Sequence, residues 1–101
     1  MRLDLADLQV FICIVDAGSI TQGAVKAHLA LASASERLRL MEEDVGVPLL
    51  VRHPRGVTLT EAGETLAKHA RPLLEQHQQL RRELKTFASG ARGTLKLYAN
   101  T

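Results

Sequence analysis

The amino-acid sequence predicts a mainly α fold, in which three short helices and a small β-hairpin are followed by one long helix. Aliphatic residues recur at helical spacing between capping residues and glycines, and two short apolar runs flank a basic turn. From residue 66 to residue 87 a seam runs at alternating spacings of four and three residues, and every position on it except His77 is apolar. With 3% aromatic residues and no Trp, the core of this 101-residue chain must be built from aliphatic side chains.

The first helix is predicted to begin at Asp4, because an aspartate side chain accepts hydrogen bonds from the free amides of a helix start. It should end at Ala17-Gly18, since glycine readily adopts the left-handed conformation that closes helices. Its apolar stripe consists of Leu5, Leu8, Phe11, Ile12 and Val15.

The second helix has two candidate starts, Ser19 and Thr21, and we favour Thr21 as its cap. It should extend through Val25 to His28. Alanines in this segment permit a close approach to a neighbouring helix.

The third helix is predicted to run to about Val45. Its apolar stripe is Ala34, Leu38, Met41 and Val45, and its opposite face is Ala32, Glu36, Arg39 and Glu43. Two starts remain open, because Ser33 to Glu36 fits a capping box, whereas a fixed preceding turn would let the helix begin at Leu31 or Ala32.

A basic hairpin follows the glycine stop at Gly46. Its strands are predicted at 49–52 and 57–59, joined by a turn of Pro54, Arg55 and Gly56. Residues 1–50 hold 4 Lys and Arg against 7 Asp and Glu, net −3, whereas residues 51–101 hold 9 against 4, net +5. Positive charge in and after the hairpin suits a nucleic-acid backbone better than a small-molecule site.

The long helix should begin after Thr60, a capping residue, and continue to about Ala88. Its apolar residues form a heptad seam, which favours pairing with the same helix of a second chain. The predicted dimerisation residues are Leu66, Ala70, Leu73, His77, Leu80, Leu84 and Phe87. Pro72 lies off the seam and should bend or locally break the helix.

The composition offers no catalytic or metal site. Cys13 is a single cysteine in an apolar run, and the four histidines are dispersed, so neither a nucleophile with its base nor a shared metal ion is expected. We therefore predict no enzyme activity, no cofactor and no metal. No signal peptide or membrane span is visible, so the chain is expected to be soluble and cytoplasmic.

The order of elements and a set of specific residues form a recognisable pattern. These residues are Asp4-Leu5, Leu8, Phe11, Gly18-Ser19-Ile20-Thr21, Ala24, Leu38, Met41-Glu42, Gly46-Val47-Pro48-Leu49-Leu50, Arg52 and Arg55-Gly56-Val57-Thr58-Leu59-Thr60-Glu61-Ala62-Gly63. The pattern resembles the N-terminal DNA-binding region of LysR-type transcriptional regulators, and it spans essentially the whole chain through residue 89.

The resemblance implies a winged helix-turn-helix at residues 1–59, a linker and dimerisation helix at 60–89, and a hinge with the first strand of a truncated effector-binding domain at 90–101. It implies a homodimer, with a tetramer left open for the full-length protein, on an interrupted inverted repeat of double-stranded DNA. A small co-inducer would act only through the missing C-terminal domain.

The third helix would then enter the major groove, and the hairpin would be the wing that touches the backbone or minor groove. The DNA-binding residues that follow from this arrangement are Thr21, Gln22, Ser33, Ser35, Glu36, Arg39, Arg52, His53 and Arg55.

The sequence departs from the family pattern at the start of the third helix. Ala30-Leu31-Ala32 replaces the usual Ser-Gln-Pro, and Glu36 replaces a common arginine, so a cap hydroxyl and a glutamine able to pair with adenine are missing.

Each of these assignments also has an alternative interpretation that involves no DNA contact. The wing cations could form an ordinary solvated turn, Ser33 and Ser35 could only cap the helix, and Arg39 could pair with Glu36. The whole chain could instead be a helical protein-interaction module that binds no specific DNA.

Overall fold

The computed structural model describes residues 3–89, which form four helices and one hairpin. The elements are α1 (Leu5–Ala17), α2 (Ile20–Lys26), α3 (Leu31–Val45), β1 (Leu50–His53), β2 (Gly56–Leu59) and α4 (Glu61–Ala88). The mainly α, winged helix-turn-helix prediction is confirmed. The predicted hinge and strand at 90–101 lie outside the described residues.

Local capping sets both ends of α1, as the sequence predicts. The Asp4 carboxylate accepts a hydrogen bond from the amide of Asp7 at 2.9 Å. Gly18 closes the helix with a φ of 75°, and its amide donates to the carbonyls of Ile14 and Val15. Glycine is favoured here because this conformation crowds any Cβ atom.

The predicted cap of α2 is wrong by two residues. Ser19, and not Thr21, has the extended backbone of a cap, and its hydroxyl accepts from the amide of Gln22 at 2.9 Å. Thr21 therefore lies inside the first turn. The helix also ends at Lys26 instead of reaching His28, because His28 adopts a φ of 59° in the turn toward α3.

The structure resolves the start of α3 in favour of Leu31. Ala30 is the cap position and has no side chain to offer, so no capping box forms between Ser33 and Glu36. The preceding turn fixes the chain direction instead, with the amide of Leu29 donating to the carbonyl of Ala24 at 2.9 Å. Gly46 ends the helix as predicted, with a φ of 92°.

The core surrounds α1, which packs against α2, α3 and the first half of α4. Its largest fully buried side chains are Phe11, Ile14, Leu38, Met41 and Leu49. The predicted stripe of α3 faces this core, with Val45 only partly buried. Aliphatic packing thus stabilises the fold, as the low aromatic content requires.

The hairpin is antiparallel and is closed by the two-residue turn Pro54-Arg55, so each strand is displaced slightly from its predicted bounds. Gly56 has a φ of 146°, and a Cβ atom built on it would overlap the carbonyl oxygen of Gly18. The next amide, that of Val57, donates to the same oxygen at 2.9 Å. The wing is therefore fixed to the loop between α1 and α2.

Helix α4 begins after Thr60, whose hydroxyl accepts from the amide of Gly63 at 3.0 Å. It continues to Ala88 without ending at Pro72, so the proline does not break it. The hydroxyl of Thr60 also donates to the carbonyl of Pro48 at 2.8 Å, and the amide of Thr60 donates to the carbonyl of Leu49 at 3.1 Å. These bonds join the start of α4 to the start of the hairpin.

The heptad seam of α4 divides into two parts. Ala70 is fully buried in the core of its own chain, and Leu66 packs partly against the same core. The prediction that Ala70 contacts a second chain is therefore wrong, because its side chain is already covered. Leu73, Leu80 and Leu84 are 53%, 52% and 57% exposed and form the uncovered part.

Candidate nucleic-acid interface

The outward face of α3 carries an ion-pair network centred on Arg39. Its guanidinium donates to both carboxylate oxygens of Glu36, from Nε at 3.0 Å and from Nη2 at 2.7 Å. Nη1 donates to Oε2 of Glu43 at 3.2 Å. The interpretation of Arg39 as an ion-paired residue is therefore the one that the structure shows, and two carboxylates share its charge.

This pairing changes the acid–base behaviour of the face. The hydrogen bond from Arg39 lowers the pKa of Glu36, so the carboxylate stays ionised at a lower pH than an ordinary glutamate. The same bond raises the pKa of Arg39. The side chains of this network are exposed, so the ion pairs are open to competition from solvent and salt.

The second arginine of α3 is also paired, a contact that the sequence analysis missed. Nη1 of Arg37 donates to Oδ1 of Asp7 at 3.0 Å, and the Asp7 side chain is only 12% exposed. Thirty residues separate the partners, so no local spacing rule indicates the pair. It fixes α3 to α1 and removes another cation from those available to a ligand.

Glu42 has a structural role that the sequence analysis also missed. Its Oε2 accepts hydrogen bonds from the amides of Leu49 and Leu50, at 2.7 and 3.2 Å. Both of these residues are buried. The carboxylate thus ties the end of α3 to the start of β1 and sets the wing relative to the helix.

The beginning of α3 is exposed and lacks charge. Leu31 is 48% exposed, and Ala32 and Ser33 beside it are exposed as well. Ser33 and Ser35 make no side-chain hydrogen bond within residues 3–89, so the alternative interpretation that they only cap the helix does not hold. Their hydroxyls are free to donate or accept.

The wing differs in charge from α3. Arg52 and Arg55 are exposed and have no acidic partner among the described residues, whereas Nε2 of His53 lies 2.9 Å from Oγ1 of Thr58. Residues 50–59 contain two arginines and no carboxylate. The wing is thus a compact cationic surface on a two-stranded hairpin.

The structure brings Thr21 to the wing. Thr21 and the three predicted wing residues, Arg52, His53 and Arg55, line one shallow depression of about 320 Å³. Gln22 follows Thr21 on the exposed first turn of α2. Four predicted residues from distant parts of the sequence therefore share one surface, while Ser33, Ser35, Glu36 and Arg39 lie on α3 outside that depression.

Residues 3–89 contain neither a cluster of metal ligands nor a membrane-spanning helix. No group of three His, Cys, Asp or Glu side chains in this range is placed to hold a metal ion. None of the four helices combines the length and the apolar character needed to cross a membrane.

A family model, the sequences of known proteins and solved structures all place this chain in the same protein family. Residues 5–64 match the family model of the bacterial regulatory helix-turn-helix protein, lysR family. The HTH-type transcriptional activator IlvY of Salmonella typhimurium is 37% identical over 98 residues, which is 97% of this chain and 33% of IlvY. The nitrogen assimilation regulatory protein nac of Klebsiella aerogenes is 37% identical over 95 residues, 94% of this chain and 31% of that protein.

Two solved structures with DNA resemble this fold. The BenM_DBD complex with catB site 1 DNA matches with a TM-score of 0.80 and 32% identity, over 87% of this chain and 99% of that one. The CbnR_DBD–DNA complex matches with a TM-score of 0.75 and 29% identity, over 89% of this chain and 100% of that one. This chain spans about a third of the length of the curated relatives that it matches. It belongs to the LysR family of bacterial helix-turn-helix regulators, and residues 3–89 have the winged-helix fold of that family's DNA-binding domain.

Proposed function

We propose that this chain binds double-stranded DNA sequence-specifically, as the DNA-binding part of a bacterial transcriptional regulator. The observation that carries the proposal is the wing, whose exposed arginines lack acidic partners on a fold that matches the BenM_DBD–DNA complex. Regulation by a small co-inducer would act through a further domain, and a cytoplasmic location follows from a chromosomal target. No enzymatic step is part of the proposal.

The predicted contacts are of two kinds, contacts to phosphates and contacts to bases. Arg52 and Arg55 supply charge to phosphates, and His53 with the first turn of α2 extends that surface, so these groups position the domain without reading sequence. Base reading is assigned to the exposed start and outer face of α3. Arg39 would reach DNA only if its bonds to Glu36 and Glu43 opened.

A second copy of this chain is the proposed partner for the exposed part of α4. Leu73, Leu80 and Leu84 lie at spacings of seven and four residues, so they share one helix face, and each is more than half exposed. A symmetric pair of such helices would place two wings on an interrupted inverted repeat.

The DNA proposal is tested by selecting duplexes from a random pool and titrating the selected site at several salt concentrations. We expect a preferred sequence, and we expect the logarithm of the binding constant to fall linearly with the logarithm of the salt concentration, because bound arginines displace counterions from phosphates. Equal binding to selected and random duplexes, with no salt dependence, would refute the proposal and favour a protein-interaction module.

The dimer proposal is tested by sedimentation of Leu80→Glu beside Gln78→Glu. Both variants add one negative charge, but residues two apart do not share a helix face. We expect only Leu80→Glu to sediment as a monomer. Identical oligomeric states for the two variants would show that the exposed part of the seam is not the interface.

A further inference from the structure

An exposed ion pair joins the long helix to the first helix. Nη2 of Arg71, on α4, donates to Oδ1 of Asp16, in the last turn of α1, at 2.7 Å, and Nη1 donates to Oδ2 at 3.5 Å. The two side chains are 50% and 42% exposed, and 55 residues of sequence separate them. Neither residue belongs to the predicted DNA-binding or dimerisation residues.

The charges around this pair favour its formation. The hydrogen bond from Arg71 lowers the pKa of Asp16, against the opposing effect of burial, and the positive charges of Arg71 and of Lys26 on α2 act in the same direction as the bond. The same pairing raises the pKa of Arg71. The Asp16 carboxylate therefore stays ionised at a lower pH than an ordinary aspartate.

The other contacts between α4 and the domain are made by small or partly covered side chains. The buried residues of α4 are Gly63, Ala67 and Ala70. Leu66 and Leu74 pack against the core but are only partly buried. Small side chains let two helices approach closely, but they offer few atoms that interlock and so resist a change of crossing angle.

We infer that the pair of Asp16 and Arg71 sets the angle between α4 and the winged domain, and thereby the spacing between the two half-sites that a dimer prefers. This inference rests on the proposed DNA binding and on the proposed pairing of α4. Arg71 is the eleventh residue of α4 and lies about 15 Å along the axis from its start. A displacement of about 1 Å at that distance tilts the helix by about 4°. Both residues are positioning residues, since neither contacts DNA in this arrangement.

The size of the effect follows from the same distances. Leu80, in the exposed part of the seam, lies about 30 Å from the start of α4, so a tilt of about 4° moves it by about 2 Å. Two symmetric domains would then shift by about 4 Å relative to each other, close to the rise of about 3.4 Å for one base pair. Because an exposed ion pair is weak, its loss should change the discrimination between spacings by about two- to fivefold.

Duplexes with different spacings between the half-sites test the inference directly. The full 101-residue chain selects a preferred inverted repeat from a random pool, and this duplex is resynthesised with one or two base pairs added or removed at its centre. Each added base pair separates the half-sites by about 3.4 Å and turns one against the other by about 35°. A dimer whose helices are held at a fixed angle cannot follow this change without strain.

Dissociation constants at fixed salt compare the wild type with Arg71→Ala and Asp16→Ala. We expect each variant to bind the original spacing within about twofold of the wild type. At altered spacings each should lose about two- to fivefold less affinity than the wild type loses. A residue that only stabilises the fold would change binding to all spacings alike.

The double variant and Arg82→Ala are the controls. Either single substitution already breaks the pair, so the double variant should relax the spacing preference no further. Arg82→Ala also removes one positive charge from the exposed surface of α4, but Nη2 of Arg82 donates to Gln79 of the same helix, so the spacing preference should remain. Because Asp16 and Arg71 are exposed, each variant should keep its thermal unfolding midpoint within about 5 °C of the wild type.

The outcomes separate this inference from the functions on which it rests. An unchanged spacing preference in both single variants overturns the inference, and so does a double variant whose effect is the sum of the two single effects. A wild-type chain that selects a half-site but binds all spacings equally overturns the inference together with the pairing of α4, and leaves DNA binding standing. Absence of any preferred duplex refutes the proposed DNA-binding function itself.

Discussion

Helix α3 and the wing lie in the same domain but differ in whether their cations are paired with carboxylates. Both arginines of α3 are bonded to carboxylates, and the helix has a net charge of −2. The wing has two exposed arginines and no carboxylate between residues 50 and 59. Affinity for a polyanion should therefore come mainly from the wing, and discrimination among sequences from uncharged groups on α3.

Gly56→Ala tests whether the close contact with Gly18 fixes the position of the wing. The added Cβ atom would overlap the carbonyl of Gly18 and would occupy a backbone conformation unfavourable for alanine. We expect the free energy of unfolding to fall by about 3 kcal/mol or more, measured by urea denaturation.

Gly46→Ala is the control for that substitution. Gly46 also has positive φ, but nothing lies within 4 Å of its added Cβ atom, so only conformational strain of about 1–2 kcal/mol is expected. Equal losses in the two variants would mean that the contact with Gly18 does not constrain the wing.

The link between the two regions is tested by Glu42→Ala. Removing this carboxylate leaves the amides of Leu49 and Leu50 without their acceptor in a buried place. We expect a loss of about 2–3 kcal/mol in the free energy of unfolding. The adjacent substitution Glu43→Ala removes only an exposed partner of Arg39. It should change the free energy of unfolding by less than about 0.5 kcal/mol. A small effect of Glu42→Ala would show that water replaces the carboxylate.

Arg55→Ala tests the assignment of affinity to the wing. Losing one phosphate contact should reduce the slope of log affinity against log salt by about 0.9 and weaken binding about fivefold to tenfold at 0.1 M salt. The loss should be the same for selected and random duplexes. Arg82→Ala, which removes the same charge from the exposed surface of α4, is the control and should leave the slope unchanged. A loss confined to the selected duplex would contradict the assignment.

The smallest expected effect comes from Glu36→Gln on α3. This change keeps the size of the side chain but removes the charge that holds Arg39, so non-specific binding should strengthen about two- to threefold. Glu75→Gln on α4 makes the same charge change and should have no such effect. Weaker binding to random duplexes after Glu36→Gln would mean that the carboxylate positions Arg39 for DNA.

Features set by near neighbours in the chain could be predicted from the sequence. Asp4 and Thr60 cap their helices, and Gly18 and Gly46 end theirs, because each acts within about four residues. The pairing of Arg39 with Glu36 follows a local spacing rule, so the sequence predicts it as an alternative to a DNA contact.

Features set by distant residues could not be predicted. The pairing of Arg37 with Asp7 and the bonds from the amides of Leu49 and Leu50 to Glu42 depend on how whole elements pack. The choice between Ser19 and Thr21 as a cap depends on where the chain leaves α1. Ala70 fits a heptad seam equally well whether its own core or a second chain covers it.

The hydrogen bonds around Thr60 have a mechanical consequence. Thr60 directly follows strand β2, begins α4 and bonds to the carbonyls of Pro48 and Leu49 before strand β1, so no flexible residue separates the wing from the long helix. The 28 residues of α4 make a lever of about 42 Å. A shift of its far end by about 4 Å would tilt the helix by about 5°. Because Ala67 and Ala70 of α4 are buried in the core and the wing is bonded to Gly18, such a tilt would turn the whole domain, and with it the arginines of the wing.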